Sequence, residues 1–289
     1  MIGYHVNIIK KSFKKSIETA HVNSNINAFQ LFVRNPRALK LVEFKEKEAS
    51  ECKEYITKNN LFVASHATYL LNSATKDNWD HKVASALNDL IYAEKIGAVG
   101  SVFHVGKHLK QTPEEGIENM FAFISEVIEK LQQMNSKSIY ILETCAACGT
   151  ELLSDLEDFG KFYHRFSETQ KANLKICIDT CHVFSAGYNL KSELDAIRFI
   201  DIVDTHIQWN NVLMIHLNDS KKDCGCGVDR HENLCMGCIG KDNDGGFKRL
   251  VNHCYDLKIP LILETPHDDH NIYEIYNEEI RKIKSWLSI

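Results

Sequence analysis

Residues of the types that bind metal ions recur at or just after the ends of apolar runs in this sequence. They are His66, His104, Glu143, Asp179, His182, His216, Asp229, His231 and Glu264. A lone histidine in such a place is usually an ordinary core or rim residue. So many imidazoles and carboxylates packed together, however, would be destabilised by desolvation and like charge unless cations were bound. Imidazole and carboxylate ligands suit Zn²⁺, with Mn²⁺ or Fe²⁺ as substitutes, so the pattern predicts a multinuclear metal site.

The elements that would position these residues alternate between strand-like and helix-like patterns. Eight apolar runs, typical of buried parallel strands, cover residues 2–6, 27–33, 61–66, 98–106, 138–143, 175–182, 212–219 and 260–266. Helical patterns cover residues 78–96, 112–134 and 271–287, and Thr112 with Pro113 has the residue types of a helix start. Eight strand–helix pairs predict an α/β fold of the (β/α)₈ TIM-barrel class, with one domain over residues 1–289.

A doubly wound open sheet is the rival architecture. Such folds usually carry a glycine-rich phosphate turn after the first strand, and HVNIIKK has none. In a barrel, the carboxyl ends of all strands meet at one rim, where catalytic sites lie. Because Asp229 and His231 are two positions apart, an extended segment would direct both to the same side. The barrel therefore predicts that the metal-binding residue types converge.

Composition and charge limit the classes of function. The 289 residues are 44% hydrophobic and 25% charged, and the formal net charge of −5 gives no global basic field for nucleic acid. Bound metal cations would make that charge less negative, and would do so at the rim. No secretory signal and no run of about 20 apolar residues is visible, so no membrane association is expected. Ten cysteines without such a signal predict an intracellular, reducing compartment, either cytoplasm or nucleus, and mostly free thiols.

The stretches that contain these residues resemble the endonuclease IV family of abasic-site (AP) endonucleases. They run nearly from end to end of the chain: IGYHV, FQLFVRNPR, HATYLLN, VFHVGKH, ETCAACGT, CIDTCHVFSAGY, HLNDSK, VDRHENL, GCIG and LILETP. CIDTCHVFSAGY and VDRHENL are the most diagnostic of them. The resemblance implies a xylose isomerase-like barrel, a role in DNA base excision repair, and duplex DNA with abasic sites as the partner. A monomer is expected.

The resemblance also implies three zinc ions per chain. The first would be held by His66, His104 and Glu143, the second by Glu143, Asp179, His216 and Glu264, and the third by His182, Asp229 and His231. Glu143 and Glu264 would be the catalytic carboxylates, with Glu264 orienting the nucleophile. The implied reaction is hydrolysis of the phosphodiester on the 5′ side of an abasic site, leaving a 3′-hydroxyl and a 5′-deoxyribose phosphate. The same ions could also support 3′-diesterase, 3′-phosphatase and 3′→5′ exonuclease activities.

Duplex contacts follow from the same resemblance. Arg37, Tyr69 and Leu70 match side chains that enter the damaged base stack, although Tyr69 and Leu70 could equally be packed in a core. Lys107, Lys221 and Lys222 could contact phosphates or could be solvated surface.

Four cysteines in one loop depart from the family pattern. Cys224, Cys226, Cys235 and Cys238 form a CxC and a CxxC where small or polar residues are usual. Such spacing can close a tetrahedral zinc site, so a fourth, structural zinc is one hypothesis. Free thiols and a disulfide or redox role are the alternatives. ETCAACGT and Val105 also differ from the family, which leaves loop shape and metal preference open.

Two other functions remain open on the residues alone. A metal-dependent sugar isomerase or epimerase of the xylose isomerase-like barrels would also gather histidines and carboxylates at the rim. Such an enzyme would not need a third ligand set or the RNPR and HATYL stretches. A damaged-DNA binder without catalysis is the second alternative, and incision of bound abasic DNA would distinguish it from a nuclease.

Overall fold

Eight parallel strands close into a barrel, and the predicted (β/α)₈ fold is confirmed. The computed structural model describes residues 1–268 and 270–287. The barrel strands are β1 (Ile2–His5), β2 (Ala28–Phe32), β3 (Phe62–His66), β4 (Gly100–His104), β5 (Ile139–Glu143), β6 (Leu174–Asp179), β7 (Val212–His216) and β10 (Leu261–Leu263). Each strand pairs with its neighbours along the chain, and β1 closes the ring by pairing with β10. Every strand corresponds to one of the eight apolar runs.

Helices surround the strands and complete the alternation. They are α1 (Phe13–Ser24), α2 (Glu46–Lys58), α3 (Trp79–Ile96), α4 (Pro113–Gln133), α5 (Leu156–His164), α6 (Glu168–Lys171), α7 (Thr180–Ser185), α8 (Glu193–His206), α9 (Gly245–Asp256) and α10 (Ile272–Trp286). Helix α4 begins as its sequence predicts, because Thr112 and Glu115 form a reciprocal capping box with Pro113 at the first position. None of the described helices is long and apolar enough to cross a membrane.

Side chains fill the inside of the barrel below the rim. This inner cluster is made of Ala28, Phe62, Ala64, Val102, Ile141, Cys177, Met214 and Ile262. A larger apolar layer lies between the strands and the helices. The filled interior holds the strand ends in fixed positions, so polar side chains at those ends cannot sink into the barrel and must face the rim.

One element differs from the prediction. The sixth run was expected to extend as a strand to His182, but β6 ends at Asp179 and His182 lies in α7. The Asp179 side chain accepts a hydrogen bond from the His182 backbone N–H at 3.0 Å, which caps the helix and ends the strand. The long segment between β7 and α9 contains a short antiparallel pair of strands, β8 (Asp219–Ser220) with β9 (His231–Glu232).

Candidate metal centre and active site

The residues predicted to bind metal converge at the rim in three groups. Within each group the candidate ligand atoms lie within 4.8 Å of one another: His66, His104 and Glu143; then Glu143, Asp179, His216 and Glu264; then His182, Asp229 and His231. Glu143 belongs to the first two groups and is almost fully buried. The groups face a cavity of about 230 Å³. The structure therefore brings all nine residues together, although their roles as ligands remain a prediction.

The histidine tautomers suit metal binding. His66 Nδ1 lies 2.8 Å from the Ala67 carbonyl oxygen, His182 Nδ1 lies 2.8 Å from that of Thr144, and His231 Nδ1 lies 3.2 Å from that of Glu264. Because a carbonyl oxygen only accepts, each of these nitrogens must carry the proton and donate it. The opposite nitrogen, Nε2, is then left bare in the neutral ring and faces the cavity. This arrangement is typical of metal-ligating histidines, whose second nitrogen is fixed by an outer hydrogen bond.

Two buried polar atoms at the centre have ionisable neighbours at 3.2–3.5 Å but form no well-aligned hydrogen bond with any described residue. They are Glu143 Oε2 and His231 Nε2. Glu143 Oε2 lies 3.2 Å from His104 Nε2 and 3.5 Å from His66 Nε2, while those two nitrogens are themselves 3.2 Å apart. Buried polar atoms without partners are rare and costly in native proteins. Divalent metal ions between these atoms would satisfy them, so the residues present fit such ions.

The carboxylates are held by the histidines around them. Burial alone would raise the pKa of Glu143, but His216 and His104 overcome this and hold it well below its usual range. Burial is likewise outweighed at Glu264 and Asp229, where histidines hold the pKa of each carboxyl below its ordinary value. All three groups are therefore ionised at neutral pH and available as ligands.

In the second and third groups, the pKa values of His216 and His231 are raised. Burial would lower the pKa of His231, but the charges of Asp179 and Asp229 raise it to about 9. The pKa of His216 is also raised well above its ordinary value, against burial, by Cys177, Glu264 and Glu143. Without metal, protons thus take the place of cations at these rings.

This proton binding predicts that the metal-free protein loses stability as pH rises. A group with a raised pKa stabilises the fold fully below its unfolded value of about 6.5, and that contribution disappears as pH passes through its folded value, about 9 for His231. The free energy of unfolding of chelated protein should fall by roughly 2–3 kcal/mol between pH 6.5 and pH 9. Urea denaturation at these pH values measures it. A flat or rising profile in the chelated protein would contradict the electrostatic account.

Sequence reasoning missed polar residues that support the proposed ligands. Gln30 is fully buried, and its Oε1 accepts a hydrogen bond from His216 Nε2 at 2.8 Å, which leaves His216 Nδ1 to face Glu143 at 2.6 Å. Gln30 Nε2 donates to Glu264 at 2.5 Å and lies 3.1 Å from His5 Nδ1. The sequence signal that could have identified Gln30 is a polar residue in the middle of the apolar run NAFQLFV.

Asn218 supports the same region from the end of β7. Its Nδ2 donates to Asp179 Oδ2 at 2.7 Å, and its Oδ1 accepts from the Glu264 backbone N–H at 2.8 Å. Asn218 is fully buried, so both bonds are shielded from water. It fixes two proposed ligands of the second group relative to each other.

Gln30→Leu is expected to lower the metal affinity of the second group by about 10–100-fold. Leucine has a volume similar to that of glutamine, but it cannot accept the hydrogen bond that selects the His216 tautomer. Competition with a chromogenic chelator measures the affinity directly, and bound metal is counted by mass spectrometry. Gln133→Leu, at an exposed position near the end of α4, is the matched control. Equal metal affinity in the two variants would exclude a positioning role for Gln30.

The third group depends on the β8–β9 hairpin. His182 Nε2 lies 3.3 Å from Asp229 Oδ2, and His231 Nε2 lies 3.2 Å from Asp229 Oδ1, so this carboxylate stands between the two rings. His231 is in β9, and Asp229 lies two residues before it in the chain. The two side chains face the same side, as their spacing predicts.

Two of the predicted duplex contacts stand exposed over the metal cavity. Tyr69 and Leu70 are 57% and 53% exposed, so the alternative that they are packed in a core is wrong. The Tyr69 ring lies 5.5 Å from the His66 ring and 5.8 Å from the His104 ring. Its backbone N–H donates to the Pro36 carbonyl at 2.9 Å, which joins this loop to the loop that carries the exposed Arg37.

The three predicted phosphate-binding lysines differ in their surroundings. Lys107 forms an ion pair with Glu151 at 3.3 Å, and Lys221 lies 3.9 Å from Glu232. Lys222 is exposed and forms no ion pair with the described residues. Of the three lysines, Lys222 therefore has the charge least occupied by an ion pair with the protein itself.

The loop cysteines are not arranged as a zinc site. Among the described residues, no group of three or more candidate ligand atoms within 4.8 Å includes Cys224, Cys226, Cys235 or Cys238. Cys235 faces Lys282, whereas Cys238 faces Asp223. All ten cysteines are free thiols. The structure therefore favours the free-thiol alternative over a fourth zinc.

Comparison with known proteins identifies the family. The model of the xylose isomerase-like TIM-barrel family matches residues 20–286. A relative from Petrotoga mobilis named "Probable endonuclease 4" is 33% identical over 98% of this chain and 96% of its own length. The chain belongs to the endonuclease IV family of AP endonucleases. The crystal structure of endonuclease IV from Thermus thermophilus is similar too, with 26% identity, a TM-score of 0.80 and coverage of 99% of this chain and 98% of that one.

The barrel is also shared beyond the endonuclease IV family. A D-allulose 3-epimerase from Methylomonas sp., solved in complex with D-allulose, has a TM-score of 0.65 over 98% of this chain and 96% of its own, at 10% identity. Similarity at that level shows a common fold and no more. The endonuclease IV relatives match the sequence itself over nearly its whole length, which the epimerase does not.

Proposed function

We propose that this protein hydrolyses the phosphodiester bond on the 5′ side of abasic sites in duplex DNA, with three zinc ions. The observation that carries the proposal is the convergence of three ligand groups at one rim beside Tyr69: the first two share Glu143, and His231 of the third lies 3.5 Å from Asp179 of the second. Membership of the endonuclease IV family supports the reaction type. Imidazole and carboxylate ligands favour zinc, and Mn²⁺ or Fe²⁺ are substitutes with the same ligand preferences.

The three groups would each hold one ion. Zinc supplies a Lewis acid for phosphoryl oxygens and lowers the pKa of a bound water molecule towards about 7, which makes water a nucleophile at neutral pH. Bound divalent ions would also offset the charges of the four carboxylates, whose ion-pair partners among the described residues are all histidines. The groups are close enough to act on one phosphate.

The protein's own residues supply orientation and charge. Glu264 is only partly buried and faces the cavity, and Gln30 Nε2 fixes its Oε1 at 2.5 Å. Its carboxylate oxygens can accept a hydrogen bond from the attacking water, which would orient that water for in-line displacement. Glu143 cannot reach solvent, so its role is to hold charge at the centre. The products would be a 3′-hydroxyl and a 5′-deoxyribose phosphate.

Recognition would depend on the absence of a base. Exposed aromatic and apolar side chains such as Tyr69 and Leu70 can enter a gap in the base stack, and a baseless sugar leaves the stack at the lowest cost. Arg37 is on the adjoining loop and would reach the same region of the duplex. A pocket for a small sugar would not need exposed side chains such as Tyr69 and Leu70 beside it, and this disfavours the isomerase alternative. The same rim could accept a terminal 3′ phosphate, so 3′-end processing is part of the proposal.

Incision of a duplex with one tetrahydrofuran abasic analogue tests the proposal. This analogue cannot undergo β-elimination, so a nick requires hydrolysis. We expect a cut immediately 5′ of the analogue, its loss after prolonged chelation, and its return when zinc is added. An intact duplex is the control. Tight binding without a nick by fully metallated protein would favour the non-catalytic binder, and neither binding nor a nick would favour the isomerase.

A further inference from the structure

A basic surface adjoins the metal centre although the chain as a whole is acidic. The loop between β1 and α1 (residues 7–12) carries Lys10 and Lys11, and the loop between β2 and α2 (residues 33–45) carries Arg37, Lys40 and Lys45. These five side chains are exposed and form no ion pair with the described residues. Glu43 is the one acidic residue in these two loops. We call these five residues the basic rim.

Two residues of the basic rim line a cavity that adjoins the one at the metal centre. This second cavity has a volume of about 520 Å³, and both Lys11 and Lys45 line it. It shares His5, Asn7 and Phe32 with the cavity that faces the metal-ligand groups. A chain of phosphates that leaves the metal centre on this side would therefore pass directly between the two lysine-bearing loops.

The backbone of the first loop holds its lysines in an unusual conformation. Lys10 and Lys11 have φ angles of +52° and +58°, in the left-handed region. L-residues other than glycine reach this region at a cost of about 1 kcal/mol or more each, whereas glycine adopts it freely. The turn is fixed by a hydrogen bond from the Ser12 N–H to the Ile9 carbonyl at 3.0 Å. Glycine would adopt both conformations more readily than lysine, so exchange of these lysines for glycine suits the backbone.

Arg34 shows what a structural cation looks like in the same region. It is buried, pairs with Asp89 at 2.5 Å and donates to Ser85, so it fastens the second loop to α3. Lys10, Lys11 and Lys45 make no comparable contact. Their charges have no structural partner and are available to an external anion.

We propose that Lys10 and Lys11, with Lys45 across the cavity, bind backbone phosphates of the DNA substrate beyond the scissile bond. The proposal rests on the proposed function for the identity of the anion. Phosphates spaced along a duplex match cations distributed along a groove, and such contacts give affinity and register without reading sequence. In this acidic protein, the contacts would also direct DNA to the correct face.

The test compares variants that alter charge and backbone separately. Lys10→Gly with Lys11→Gly removes both charges and suits the positive φ angles, so the loop should keep its conformation. Lys10→Arg with Lys11→Arg keeps both charges. Lys58→Ala with Lys284→Ala removes two exposed lysines near the carboxyl ends of α2 and α10, at the opposite end of the barrel, and is the control. Thermal unfolding of each variant checks the fold.

Binding is measured by fluorescence anisotropy with the nicked tetrahydrofuran duplex, over a series of salt concentrations. For the glycine pair, we expect affinity at 0.1 M salt to fall roughly 10-fold or more, and the slope of log K against log salt to become shallower by about two. The arginine pair should bind like the parent protein. Single-turnover incision at saturating protein should stay within about two-fold, because the lysines are outside the metal-ligand groups.

Three outcomes would overturn the inference. They are an unchanged salt slope in the glycine pair, an equal loss of affinity in the Lys58 and Lys284 control, and a saturating incision rate that falls as much as affinity. The proposed function fails separately. If the salt slopes of the parent protein and the glycine pair differ as expected but the parent never nicks the duplex, the phosphate-binding role of the basic rim is supported and the nuclease function is excluded.

Discussion

Glu143→Gln is expected to reduce metal-dependent incision by far more than 100-fold. Even residues that only support metal ligands change affinity or activity by about 10–100-fold, and Glu143 belongs to two ligand groups at once. Glutamine keeps the size of the side chain but removes the charge that faces His66, His104 and His216. We therefore expect both the first and the second ion to be weakened by a single substitution.

Two measurements separate this explanation from simple misfolding. Bound zinc, counted by mass spectrometry after equilibration with a weak chelator, should fall from three ions per chain to about one. Zinc-dependent stabilisation against heat should shrink accordingly, because a ligand stabilises only the state that binds it. Glu157→Gln, on the exposed surface of α5, is the control and should keep the zinc content and incision rate of the parent. Full zinc content in Glu143→Gln would exclude the shared-ligand geometry.

The order of elements was accessible from sequence because the signals are local and repeated. Each strand is a short apolar run, and the start of α4 is marked in the sequence by Thr112, Pro113 and Glu115. Repetition of one unit restricts the closed architectures to very few. His182 was misplaced because an apolar run followed by a helix looks continuous, and only the Asp179 side chain marks the boundary.

The site was accessible in part. Histidines and carboxylates at strand ends converge by topology alone, so the three groups could be anticipated from spacing and resemblance. Residues such as Gln30 and Asn218 act through hydrogen bonds across the barrel, between residues 186 and 46 positions apart in sequence. No local pattern encodes such pairs. For the loop cysteines, spacing alone left a zinc site, free thiols and a disulfide or redox role open, and among the described residues the fold does not assemble a zinc site from them.

Asp219 is the residue whose loss should most disturb the third group while leaving every proposed ligand in place. Its buried carboxylate accepts backbone N–H groups at 2.7–3.2 Å from Ser220, Cys235, Gly237, Ile239 and Gly240. These bonds gather the long loop that carries Asp229 and His231 between β8 and α9. A Cβ atom on Gly237 would lie 2.6 Å from the same carboxylate, so the loop closes tightly around it.

Asp219→Ala is therefore expected to lower the free energy of unfolding by at least about 3 kcal/mol, since several buried donors lose a charged acceptor together. It should also reduce bound zinc from three ions to two, and incision should fall with the third ion, which would stabilise charge on the leaving 3′-oxygen. Asp223→Ala, an exposed position in the same loop, is the matched control. Urea denaturation and metal counting measure both effects.

If Asp219→Ala unfolds too readily, Asp219→Asn removes the charge with less change of shape and should show the same loss of the third ion. An Asp219→Asn protein that folds, keeps three ions and incises at the parent rate would show that the loop positions Asp229 and His231 without this anchor.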